Sequence, residues 1–238
     1  MGAVEGCAFI QENGPEGVDV KRDLLAKISA AAPSDSLIAT SSSSILISDI
    51  QDAAACPERV LLGHPFNPPH LMPLVEVVGG RLTSADAIEK ALAFYKSIGK
   101  KPIHIRREVK GYVANRLQTA LWREAFYLVE QGIASVEDVD TAIAHGPGLR
   151  WALLGPFLNL HMSGGAGGIA HVLEHLGPPI ESWWRDLGDV TLNDELDGAI
   201  ARGVTEELGG ADLAHLTRQR DGVLLALLQL KAVAGLRP

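Results

Sequence analysis

A chain of 238 residues is long enough for one large or two modest domains, each with its own core. Apolar residues make up 47% and charged residues 21%, which excludes wholesale disorder, and a formal charge of −8 argues against a nucleic-acid surface. No apolar run approaches the roughly 18 residues of a membrane span and no signal peptide is evident, so a cytoplasmic location and no membrane partner are expected. Cys7 and Cys56 stand in no metal-type spacing and are expected to be reduced thiols.

In chain order, short β-type runs first alternate with amphipathic helical runs. Cys7–Glu12 reads as a strand, Val18–Ala32 as a helix, and Ser36–Ser41, Val60–His64 and Leu74–Val78 as strands. Ser84–Ile98 reads as a helix with Ser84 as N-cap and Gly99 just past its end, and Pro102–Arg107 as a last strand. This alternation predicts a largely parallel α/β sheet. From Gly111 onward strand signals stop. Tyr112–Gln131 has apolar residues at three- and four-residue spacing, Ser135 opens another helix, and helical signals continue through Leu224–Leu230. Gly146-Pro147-Gly148, Gly155-Pro156, Gly164–Gly168 and Gly177-Pro178-Pro179 punctuate them. Domains are expected over 1–107 and 108–238.

The segment from Gly63 to Val78 carries the most chemistry. His64 stands at the mouth of a proline-broken loop that bears Asn67, and Glu76 lies in the next apolar run. If the chain doubles back, the carboxylate meets the ring, fixes its tautomer and stabilises its cation, as a proton-accepting histidine requires. A lone histidine beside a proline turn is more often a structural residue, so the surrounding pattern matters. Ala39–Ser44 follows a strand, Gly111-Tyr112-Val113-Ala114-Asn115-Arg116-Leu117 opens a helix, and Gly155-Pro156 comes later. Each element is weak alone. Together and in this order they resemble the 3-hydroxyacyl-CoA dehydrogenase family over nearly the whole chain.

The resemblance implies a partial Rossmann-like α/β domain followed by an all-α substrate and dimerisation domain, with a homodimer as the assembly. It implies NAD as cofactor and a small 3-hydroxy acid or acyl-CoA as substrate. His64 matches the family's base and Glu76 its partner; Ser43 and Asn115 match residues that hydrogen-bond the reacting oxygen. Glu16, Lys21, Ser43 and Asn67 match positions near the nicotinamide and its ribose. Gly148–Pro156 and Pro68-Pro69 resemble the lambda-crystallin branch, which includes L-gulonate 3-dehydrogenase and carnitine dehydrogenase and points to a short 3-hydroxy acid or its thioester. There Arg150 suits a free carboxylate as bidentate partner, and Trp151 a pocket wall or a cationic substrate group. Arg150 paired to a nearby acid and Trp151 in the core are the bland alternatives.

The family's G-x-G-x-x-G turn, on which the pyrophosphate rests, does not occur in these residues. Gly146–Gly148 lies among helices and Gly164–Gly168 follows no strand. The expectation is a truncated piece or mis-started frame of a dehydrogenase, or a short paralogue, binding NAD weakly and inactive alone. Two other readings stand beside it. One is a non-catalytic dimerisation or binding module. The other is a zinc peptidase through His171-Val172-Leu173-Glu174-His175, needing a third ligand such as Glu195, Glu206 or Glu207.

Overall fold

The computed structural model describes residues 2–236. They form two compact units that divide between Gln118 and Thr119, inside a helix.

The first unit runs β1 (Phe9–Glu12), α1 (Val18–Ala31), β2 (Leu37–Thr40), three short 3-10 turns between Ile47 and Arg59, β3 (Val60–Pro65), β4 (Leu74–Gly79), α2 (Ala85–Ser97) and β5 (Lys101–Ile105). The strands lie in one sheet in the order β1-β2-β3-β4-β5. β1, β2 and β3 are mutually parallel, and β5 is parallel to β4, but β4 is antiparallel to β3. The sheet is therefore mixed. Residues 66–73 are too few for the dozen or more that a parallel crossover needs, so the proline loop can only turn the chain back.

Both faces of the sheet are covered, which explains why β2 and β3 read as continuous apolar runs. Successive side chains alternate faces: Ile38, Val60, Leu62 and Val78 pack with Leu25 of α1, whereas Leu37, Ala39, Leu61, Val75 and Val77 pack with Ala87, Ile88 and Ala91 of α2. Gly63 is glycine for a steric reason. A Cβ there would stand 1.9 Å from the Tyr95 hydroxyl, which donates to Gln11 Oε1 at 2.5 Å while Gln11 Nε2 donates to the Gly63 carbonyl at 3.1 Å. Ser84 caps α2 as expected, accepting from the Ala87 N–H at 3.1 Å, and Gly99 takes the left-handed conformation beyond its end at φ 79°.

The remaining helices are α3 (Ala114–Glu130), α4 (Val136–His145), α5 (Pro147–Leu153), α6 (Pro156–Ser163), α7 (Gly168–Asp186), α8 (Asp194–Leu208) and α9 (Leu213–Ala234). α3 starts later than the expected Tyr112 because Gly111 and Tyr112 are left-handed, with φ 76° and 50°. Ser135 and Asp138 close a capping box on α4, and Pro147 and Pro156 begin α5 and α6, where a missing N–H costs nothing. Gly177-Pro178-Pro179, read as a break, lies inside α7. Apolar burial in the second unit is thin: among its described residues only Val172 and Leu196 are buried apolar side chains.

Candidate active site

His64 and Glu76 are register partners across the antiparallel β3–β4 pair. In such a pair opposed side chains share one face, so the turn that reverses the chain also delivers the carboxylate to the ring. His64 Nδ1 lies 2.9 Å from Glu76 Oε2. An ionised carboxylate only accepts, so Nδ1 carries the proton and Nε2 keeps its lone pair in the neutral ring. Glu76 is fully buried, yet its other oxygen, Oε1, accepts from the Val113 and Ala114 N–H groups, each at 2.9 Å. These are the groups at the N-terminus of α3, where the helix leaves donors unsatisfied and a negative charge is stabilised. Burial pushes the Glu76 carboxyl up, but the bonds from His64, Ala114 and Val113 outweigh it and hold the group below its usual range.

Tyr112 completes this arrangement and was not singled out in the sequence. It is buried and left-handed, its ring centroid is 5.7 Å from that of His64, and its hydroxyl donates to the Ile45 carbonyl at 2.8 Å. The left-handed Gly111-Tyr112 step precedes the two amides that meet Glu76. Nothing local in a tyrosine announces a positive φ, which is rare for a bulky residue.

A second cluster follows the C-terminal ends of β1 and β2. Lys21 Nζ donates to Glu12 Oε1 and Oε2 at 3.0 and 2.9 Å and to the Gly14 carbonyl at 2.9 Å. Lys21 and Glu12 are both buried, and Thr40 Oγ1 donates to Glu12 Oε2 at 2.7 Å. The donors of Lys21 are thus taken up by protein acceptors, and Glu12, another residue not anticipated, is its counter-ion. Glu16 Oε1 accepts from Ser42 Oγ at 2.6 Å and from Ser44 N and Oγ at 3.0 and 2.8 Å, which binds the serine turn. Burial raises the Glu16 carboxyl, but these serine bonds, with Lys21 nearby, leave it lowered. Ser43 is exposed on that turn, Asn67 is exposed just past β3, and Asn115 is half-buried in the first turn of α3. The run of serines was the available signal for Ser42 and Ser44.

Arg150 and Trp151 lie on α5 and are exposed; Arg150 has no ion-pair partner among the described residues, and Trp151 is not core. His171, Glu174 and His175 lie together on α7, all exposed. Glu195, Glu206 and Glu207 on α8 do not join them.

A sheet whose parallel strands end in polar loops, followed by a helical unit, has the architecture of a nucleotide-linked dehydrogenase. Residues 1–109 match the family model described as the 3-hydroxyacyl-CoA dehydrogenase NAD binding domain, and residues 111–195 match the C-terminal domain of the same enzymes. The chain belongs to the 3-hydroxyacyl-CoA dehydrogenase family, whose members are NAD-dependent oxidoreductases. It is 48% identical to an L-carnitine dehydrogenase of Streptomyces coelicolor over 98% of this chain and 73% of that protein. An L-carnitine dehydrogenase of Pseudomonas aeruginosa is 45% identical over 96% of this chain and 72% of its own length. A crystal structure of 5-formyl-3-hydroxy-2-methylpyridine 4-carboxylic acid 5-dehydrogenase, an NAD+-dependent dismutase, superposes with a TM-score of 0.82 at 27% identity, covering 97% of this chain and 75% of that one. Family membership leaves the peptidase reading without support.

Proposed function

We propose that the chain carries the site of an NAD-dependent dehydrogenase that oxidises L-carnitine or a closely related short L-3-hydroxy acid to its 3-oxo form. The observation that carries this is the buried His64–Glu76 pair, with Nδ1 held at 2.9 Å and Nε2 left as the proton acceptor. His64 takes the hydroxyl proton at Nε2, and Glu76 stabilises the imidazolium that results. Ser43 and Asn115 hydrogen-bond the oxygen whose charge changes. NAD, when bound, supplies the hydride acceptor. Exposed Ser43 and Asn67, and the Glu16 oxygen that carries no hydrogen bond among the described residues, suit the hydroxyl and amide groups of its nicotinamide end. Lys21 serves that end as a positioning residue, by pairing with Glu12 beneath the loop.

The names of the curated relatives support the substrate class. Arg150, exposed and without an ion-pair partner among the described residues, has the fork for a free carboxylate, and Trp151 offers a face for a quaternary ammonium group. The pyrophosphate donors of the family's glycine turn are not among these residues, so NAD binding by these 238 residues is proposed to be weak. The thin core of the helical unit, with Trp183 and Trp184 62% and 67% exposed, supports a homodimer through that unit.

Assayed with NAD in excess, His64→Ala is expected to lose about 100-fold or more in kcat with an unchanged circular dichroism spectrum. Near-normal turnover would overturn the dyad assignment. Arg150→Lys is expected to raise KM for a free hydroxy acid and spare a thioester; equal effects on both would remove the carboxylate clamp. Calorimetric titration with NAD is expected to show no tight binding, and a submicromolar Kd would refute that part.

A further inference from the structure

We propose that His171, His175 and Glu174 on the exposed face of α7 form a binding site for a divalent transition-metal ion of the zinc class. The three residues stand at i, i+4 and i+3 on one turn, and their ligand atoms all lie within 4.8 Å of one another. Zinc bonds nitrogen at about 2.0–2.1 Å, so two nitrogens on one tetrahedral ion sit roughly 3.4 Å apart. The imidazole centroids are already 4.1 Å apart. Both rings and the carboxylate are exposed, so small χ rotations close the remaining distance without disturbing a packed neighbour.

The tautomer of one ring is preset. His175 Nδ1 lies 2.9 Å from the His171 carbonyl oxygen. A carbonyl only accepts, so Nδ1 bears the hydrogen and Nε2 is left with the lone pair that a metal requires. This is the same logic that orients metal-bound histidines through a hydrogen bond on the far nitrogen. With His171 and Glu174 as the other ligands, the fourth position remains open to solvent.

The place of the cluster in its helix gives the ion a role. Pro178 and Pro179 lie inside α7 and have no N–H, so the carbonyls of Glu174 and His175, four residues earlier, receive no helical hydrogen bond from them. The turn that presents the three ligands therefore ends where the helix ladder is interrupted. A chelate spanning His171 and His175 fixes that turn from outside and stabilises the helical unit. The site is unlike a hydrolytic zinc centre because all of its ligands are exposed on one helix face, with no shielded cleft among them.

The test is calorimetric titration of the intact chain with zinc chloride in a non-chelating buffer, paired with thermal unfolding. One equivalent of zinc per chain and a Tm that rises with zinc concentration are expected. His171→Ala and His175→Ala should each weaken binding about tenfold or more and move the Tm rise to correspondingly higher zinc, with zinc-free circular dichroism unchanged. Glu174→Gln should weaken it by a smaller factor. His145→Ala and His215→Ala serve as controls that keep full affinity. Binding of equal strength in wild type and the His171→Ala/His175→Ala double variant, or no binding at submillimolar zinc, would overturn the proposal.

Discussion

Glu76 holds two things at once, and its two oxygens divide the work. Oε2 faces the ring of His64, and Oε1 accepts from the first amides of α3. Glu76→Gln separates these roles. The glutamine carbonyl must face Val113 and Ala114, because only it can accept, so its NH2 faces His64 Nδ1. The ring is then forced into the opposite tautomer, with hydrogen on Nε2 and no lone pair for the substrate. A loss of about 100-fold or more in kcat is expected with α3 still capped; retention of kcat would show that the carboxylate does not set the tautomer. The pH dependence has a defined sign. The Glu76 carboxyl is lowered in the folded chain from its ordinary 4.5. The stability it contributes is therefore present above that value and lost as pH falls toward the folded value. Urea midpoints measured from about pH 6 down to about pH 3 should fall less steeply in Glu76→Gln than in wild type.

At the scale of elements, capping is where local sequence has direct energetic consequences. Ser84 satisfies the Ala87 N–H of α2, and that helix packs Ala87, Ile88 and Ala91 onto β3 and β4 beside the dyad. Ser84→Ala is expected to cost about 1 kcal/mol, and Ser84→Gly only a few tenths, read from urea midpoints at unchanged m. Equal losses would mean that Ser84 acts through packing and not as a cap. The start of α3 follows a different rule. Its first amides are capped from another strand by Glu76, so no serine, threonine or aspartate marks the boundary in the neighbouring sequence.

For the whole molecule, the two units differ in how much apolar surface they bury for themselves. The first has a sheet covered on both faces. In the second, Val223, Leu230 and Val233 of α9 are 70%, 67% and 89% exposed, in addition to the tryptophans of α7. On the same helix Leu225 is exposed, whereas Leu224, Leu227 and Leu228 are half-buried. Sedimentation at micromolar concentration is expected to give a dimer, and Trp183→Ser/Trp184→Ser to shift it toward monomer. A clean wild-type monomer would count against the assembly.

The sequence alone determined the elements and the residue types of the site. Apolar period, caps at Ser84 and Ser135, and the turn residues are local properties, and the strands and helices fall close to where they place them. The spacing of His64 and Glu76 around a proline loop was legible for the same reason, since a short reversal leaves two short strands little choice of partner. The tertiary structure decided what each polar group meets. Tyr112 reaches Ile45 across 67 residues and Val113 reaches Glu76 across 37. Lys21 finds Glu12, and Glu16 finds Ser42 and Ser44, only because parallel pairing of β1 and β2 brings their following loops side by side. Such partners are fixed by strand order and by the need to satisfy every buried polar atom, and neither is written in a local window of residues.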